Sequence, residues 1–253
     1  MLMDYTRLLS ALRDEGETLA ATPVVALSEP VPTVPDWTVE DVVRHTGKVH
    51  QWVTTALQAA PQTPLSEIRR SGDMPRGPEC IPAYRFALDT LLDEFDRIDP
   101  EKPVSTMTGP GTAAWWLRRQ THEVSVHRVD VSDTLKAAGG PKAEELDPVV
   151  AADGVDEWLD VFLGLLSDGG RLPDSLHGHT IHLHGTDTDA AEWHLSFSPG
   201  AVEVTREHRK ADVALRGSAQ DLLLTLWRRR PLVGLDVVGE AAIARALLGS
   251  AAL

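Results

Sequence analysis

The sequence predicts two domains of different class: a helical bundle over residues 1–167, then a small α+β domain over residues 176–253. Three observations carry that reading. Apolar residues recur at helical spacing through the first two-thirds of the chain, with start and stop signals at the ends of each run. Past Ser167-Asp168-Gly169-Gly170, short runs that alternate polar and apolar residues replace them. The chain of 253 residues is long enough for two hydrophobic cores.

Leu8, Leu9, Leu12 and Leu19 define a first amphipathic helix over residues 4–20. A loop rich in Pro and Val ends at Pro35-Asp36. Thr38 then serves as N-cap, with Glu40 and Asp41 in the first turn, a variant of the capping box. Trp37 and Val42 occupy the N′ and N4 positions of a hydrophobic staple. This second helix runs to about Ala59 and carries His45 two turns in. Residues 60–80, with Pro61, Pro64, Pro75 and Pro78, read as a loop able to order over a site mouth. A third helix covers 82–97, its apolar side formed by Phe86, Leu88, Leu91, Leu92 and Phe95. Gly109-Pro110-Gly111 breaks the chain before a fourth helix over 113–137, which stops at Gly139-Gly140. Asp147-Pro148 opens a fifth over 148–167, with proline at the favoured first position. In the second domain, strands fall at 179–184, 193–197, 201–205 and 211–216, with a turn from Gly185 to Ala190. A helix over 218–228, a strand over 233–238 and a helix over 240–248 complete it.

Composition narrows the function. A formal net charge of −14 argues against nucleic-acid binding, which needs clustered Lys and Arg; Arg228-Arg229-Arg230 is too short a run to reverse that. Hydrophobic content of 42% and charge of 25% are those of a soluble globular protein. The single cysteine, Cys80, excludes an intramolecular disulfide and a cysteine-based zinc knuckle, and fits a reducing cytoplasm. The N-terminus leads into an amphipathic pattern rather than a signal core, and no apolar run reaches the ~20 residues of a membrane span. There is no Gly-x-Ser-x-Gly elbow and no Walker or Rossmann phosphate loop.

Glu123 and His127 stand four apart on the fourth helix, which places their Cβ atoms ~5–6 Å apart on one face. Joined by His45 from the second helix, they form a two-His, one-carboxylate metal set with open coordination positions, the arrangement of a catalytic site. The plainer readings are a surface polar pair and a satisfied buried histidine. His50 and His122 are rival ligands, but on ideal helices they point about 140° from His45 and about 100° from Glu123. Asp130, three residues after His127, reads equally as its hydrogen-bond partner or as a solvated carboxylate. His177, His179, His182, His184 and His194 crowd the start of the second domain. His182 and His184 share a strand face and such a pair can bind metal, although a solvated face opposite Ile181 and Leu183 is the simpler account. The arginines after Trp227 read as a helix cap or as a reach toward an anionic substrate. Nothing marks Cys80, in a Gly/Pro-rich loop, as an activated thiolate.

Longer motifs carry a resemblance. Val34-Pro35-Asp36-Trp37-Thr38-Val39-Glu40-Asp41-Val42-Val43-Arg44-His45 resembles the P-x-W-T-V-x-D-L-x-x-H opening of the maleylpyruvate isomerase family of mycothiol-dependent enzymes, within the DinB-like superfamily. Arg119 to Asp130 is similar to that family's E-x-x-x-H-R-x-D helix, and Ala152 to Leu159 and Asp221 to Trp227 to its later blocks. The resemblance implies a DinB-like four-helix bundle, with one extra helix, followed by a small α/β domain akin to sterol carrier protein type two. It implies a divalent metal, usually zinc, on His45, Glu123 and His127, and mycothiol as thiol cosubstrate. The family's L-W-G-R places a contributing arginine at Arg229, with Arg228 in place of the glycine. The implied partners are a low-molecular-weight thiol and a small electrophile, in a cytoplasmic enzyme of actinobacterial type. Its thiolate either adds to a double bond and leaves, isomerising maleylpyruvate, or stays as an S-conjugate. The rival reading is a non-catalytic module that holds a small apolar ligand, its metal stiffening the bundle.

Overall fold

Helix α1 (Tyr5–Ala20) starts where the Asp4 carboxylate accepts the Arg7 amide at 2.8 Å. The computed structural model describes residues 3–69, 72–141, 144–189 and 191–250. Arg70 and Ser71 of the 60–80 loop, and Ala190 at the end of the 185–190 turn, lie outside the described residues. Helix α2 (Val39–Gln58) opens with the expected reciprocal cap. The Thr38 amide donates to Asp41 Oδ2 at 3.0 Å while Thr38 Oγ1 accepts from the Asp41 amide. Helix α3 (Cys80–Arg97), the hairpin β1 (Pro103–Thr106) and β2 (Gly109–Thr112), and helix α4 (Ala113–Ala137) follow. The four helices pack α1 on α3 and α4, and α2 on α3 and α4. Leu12, Leu19, Val53, Leu57, Leu88, Leu91, Phe95, Trp116 and Leu117 fill their core.

Helix α4 departs from a simple amphipathic pattern. Arg119, Gln120, Thr121, His122, Ser125, Arg128 and Asp130 are all buried. A helix enclosed on several sides carries polar groups inward only where partners meet them. Arg128 forks onto the Glu15 carboxylate of α1, and Thr121 Oγ1 donates to the Leu8 carbonyl at 3.1 Å. The loop before α3 docks on α2 through Met74, whose carbonyl accepts Arg44 Nε at 3.0 Å and Nη2 at 2.9 Å.

Three local expectations change. Phe86 is 73% exposed, because it lies about 200° round the helix from Leu88; Tyr84 and Cys80 take the inward positions. Cys80 heads α3 instead of lying in the loop, and burial pushes its thiol up to about 11. Gly109-Pro110-Gly111, read as a break, belongs to β2 of the β1–β2 hairpin over residues 103–112, which is too short and too polar to show a period of two.

Clustering of the chain gives the compact units Met3–Glu144 and Glu145–Leu253. In the second, α5 (Pro148–Glu157) continues through a π-helical stretch, Trp158–Leu163, into α6 (Gly164–Asp168). Strands β3 (Thr180–Gly185), β4 (Glu192–Ser198), β5 (Ala201–Thr205), β6 (Val213–Gly217) and β7 (Asp236–Gly239) form one sheet in the order β5-β4-β3-β6-β7. Only β3 and β6 run parallel. Helix α7 (Ala219–Leu226) packs on β3 and β6, α8 (Ala241–Ser250) on β6, and α5 on α7. The helix over 148–168 therefore packs within the second unit, whereas the sequence reading grouped it with the bundle up to residue 167. Periodicity marks a buried face but not what covers it. Among the described residues no helix is long and apolar enough to cross a membrane.

Candidate metal centre

His45 leaves α2 two turns after the Thr38 cap, and Glu123 and His127 leave α4 one turn apart. The packing of α2 on α4 brings the three together. His45 Nε2 lies 3.0 Å from Glu123 Oε1, and His127 Nε2 lies 3.5 Å from the same oxygen. One ligand-type atom from each falls within 4.8 Å of the others. The His45 side chain is 37% exposed and that of His127 only 9%, so the cluster opens toward solvent on the His45 side.

Two of the three donors are held from behind. Arg119 Nη2 donates to Glu123 Oε2 at 3.0 Å, which leaves Oε1 for the imidazoles. His127 Nδ1 lies 3.1 Å from Asp130 Oδ2, and Thr33 Oγ1 donates to the other Asp130 oxygen at 2.7 Å. Asp130 is 1% exposed, so of its two readings the orienting carboxylate is the one observed. The loop carrying Trp37 is pinned by the Val31 amide on the Trp37 carbonyl (2.9 Å) and by the Pro30–Thr38 bridge. The indole then lies 4.9 Å from the His45 ring and nearly parallel to that of His127 at 6.0 Å.

The electrostatics follow. Burial opposes the charge on His127, but hydrogen bonds to Asp130 and Glu123 outweigh it and raise its pKa to about 9. Burial likewise opposes ionised Glu123, yet its hydrogen bonds with His127 and His45, and the nearby Arg119, hold the carboxyl well below its ordinary range.

The rivals are elsewhere. His50 is fully buried against Tyr84, and its Nδ1 lies 2.9 Å from Gln120 Oε1. His122 is also fully buried and stands outside the three-residue cluster. Trp116, near the start of α4, packs on Trp52 with rings 5.4 Å apart, not on the cluster. Arg119 was missed by the sequence reading; its signal was the i, i+4 spacing to Glu123.

In the second unit Arg229 follows α7, with Nη1 donating to the Trp227 carbonyl at 3.0 Å. Its neighbour Arg228 adopts φ 59°. That left-handed backbone is the conformation for which a glycine is suited, as in the L-W-G-R pattern.

Comparison with known proteins places the chain. The "Mycothiol maleylpyruvate isomerase N-terminal domain" matches residues 6–132, and the corresponding C-terminal domain matches residues 149–246. The chain belongs to the mycothiol maleylpyruvate isomerase family. Among solved structures, a crystal structure of the mycothiol-dependent maleylpyruvate isomerase aligns with a TM-score of 0.62 at 13% identity, covering 94% of this chain and 95% of that one. A histidine-to-alanine mutant of that isomerase aligns with a TM-score of 0.60 at the same identity and coverage. These likenesses establish a shared fold: a helical N-terminal region followed by a small sheet domain. No curated protein sequence matches significantly. Among the described residues of the family's N-terminal domain, the cluster on α2 and α4 is the grouping of three metal-type donors.

Proposed function

We propose that this member of the maleylpyruvate isomerase family is a cytoplasmic, zinc-type metalloenzyme that uses mycothiol to isomerise a small electrophilic acid such as maleylpyruvate. The convergence of His45, Glu123 and His127 is the observation that carries the reading. The donor set fits a divalent cation of borderline softness: two imidazoles, each offering Nε2, and a carboxylate presenting one free oxygen. When bound, such a cation would lower the pKa of a thiol occupying an open coordination position and present it as thiolate near neutral pH.

The chain's own residues supply the rest. Asp130 fixes the His127 ring through Nδ1, and Arg119 fixes Glu123 through Oε2, so the donors are preorganised. Trp37 covers one side of the pair of imidazoles and limits water there. Cys80, buried with its thiol pushed to about 11, is unsuited as nucleophile, which supports a borrowed thiol. Arg229 is proposed to hold a substrate carboxylate while the thiolate adds to the double bond and is expelled after rotation.

The test loads the purified protein with zinc and supplies mycothiol with maleylpyruvate and a panel of other electrophiles. Thiol-dependent isomerisation, lost in His45→Ala, is the expected result. S-conjugates in place of isomer would make it a transferase. No thiol-dependent turnover on any substrate would overturn the reading in favour of a binding module.

A further inference from the structure

A second group of donors lies in the other unit. His182 and His184 leave one face of β3, while Ile181 and Leu183 leave the other and are fully buried. Glu192 stands directly opposite His184 in the β3–β4 pairing, and His208 comes from the segment after β5. The Glu192 carboxylate gathers all three rings. Its Oε2 lies 2.5 Å from His182 Nε2, and its Oε1 lies 2.6 Å from His184 Nδ1 and 3.0 Å from His208 Nδ1. Ring centroids are 4.9–5.8 Å apart, with planes at 68–85°, so the three imidazoles meet edge to face rather than stacked. The four residues each bring a ligand-type atom within 4.8 Å of all the others.

This is not the solvated histidine face that the sequence favoured. His182 is only 5% exposed, and His184 Nδ1 is buried without a hydrogen bond despite its closeness to Glu192. Three imidazolium ions around one carboxylate would leave excess positive charge against the buried His182 ring. Neutral tautomers can donate to Glu192 from His182 Nε2 and His208 Nδ1, but His184 Nδ1 still lies buried beside the same carboxylate without a hydrogen bond. A divalent cation gives that nitrogen a partner, accepting a nitrogen from each ring and one carboxylate oxygen.

We propose that His182, His184, Glu192 and His208 form a second, structural divalent-cation site in the C-terminal unit. Three imidazoles and one carboxylate are a closed four-donor set suited to zinc. Its role is to fasten the segment after β5 to the sheet. That segment is already tied once, by Arg206 to Asp156 at 2.7 Å and to Asp160 at 3.2 Å. The site is independent of the centre on α2 and α4.

The experiment titrates the metal-stripped full chain with Zn²⁺ and with Co²⁺, following stoichiometry and the cobalt absorption bands. Four proteins are compared: wild type, His45→Ala, His208→Ala and the double variant. The His208 side chain is 74% exposed, so its removal spares the fold, which circular dichroism checks. Wild type should take two equivalents, each single variant one, and the double variant none. Tetrahedral cobalt bands should persist in His45→Ala and vanish when His208→Ala is added. A His45→Ala protein that binds no ion at micromolar or tighter affinity, or a His208→Ala protein that binds as wild type does, overturns the second site. One equivalent in wild type, unaffected by His45→Ala but lost in His208→Ala, would uphold it while removing the metal from the proposed catalytic centre.

Discussion

Arg119 Nη2 lies 3.0 Å from Glu123 Oε2, one turn along the same helix, and this contact selects the carboxylate oxygen that faces His45 and His127. The guanidinium is 4% exposed, so it meets the carboxylate with little water to screen the pair. A buried cation that fixes a proposed ligand acts on metal affinity without touching the metal.

Arg119→Gln should therefore weaken zinc binding at the α2–α4 centre by about 10–100-fold. Competition with a chromophoric chelator, in a His208→Ala background, measures that centre alone. Unchanged affinity would show that Glu123 needs no anchor.

Burial drives the pKa of His50 down to about 4, against the opposing hydrogen bond with Gln120. The folded value lies below the unfolded one of ~6.5, so between the two the unfolded chain binds more protons. Its effect on stability is absent above the unfolded pKa and grows as pH falls toward the folded one. At ~1.4 kcal/mol per pH unit, about 3 kcal/mol is lost by pH 4. Urea unfolding at pH 7.5 and pH 4.5 should show a smaller acid penalty in His50→Asn, by about 2–3 kcal/mol. Equal penalties in the two proteins would mean His50 is not held neutral.

Arg229→Ala is expected to lower kcat/KM at least about tenfold, on the order of 1.4 kcal/mol of transition-state stabilisation, with the unfolding midpoint unchanged. Arg230→Ala serves as the control and should stay near wild type. Equal losses in both variants would assign the effect to general positive charge instead of to Arg229.

Arg228→Gly addresses the backbone alone. A non-glycine residue in the left-handed region costs about 1–2 kcal/mol, partly offset by the greater freedom glycine has when unfolded. The variant should be more stable by about 0.5–1 kcal/mol, a rise of about 2–4 °C for a domain-sized unit. A lower midpoint would show that the Arg228 side chain makes contacts that matter more than its φ of 59°.

The helix starts were the most legible part of the chain, because a cap is written within four residues. Thr38 with Asp41, and Asp147 before Pro148, each make the expected bonds. The β1–β2 hairpin was not legible, since four-residue strands with Gly109 and Gly111 show neither alternation nor β-branched runs. Phe86 misled because a helix near an apolar run still has an outer face. Of the site, the Glu123–His127 pair could be read directly, and His45 could be set beside it only on the supposition that their helices meet. Arg119 had only its i, i+4 spacing to Glu123, whereas Trp37 was legible as an aromatic residue beside the Thr38 cap.

By itself the sequence determined what depends on neighbours along the chain: the helix faces, the caps, and an i, i+4 Glu–His pair on α4. The family blocks added the order of the domains. Tertiary structure alone decided which faces meet. It brought His45 within 3.0 Å of Glu123, sent the helix after Pro148 against α7, and turned Glu192 into the meeting point of two histidines of β3 and one from the segment after β5. Local signals act over one or two helical turns, whereas these contacts join different elements and exist only once the packing of helix on helix and strand on strand has fixed their geometry.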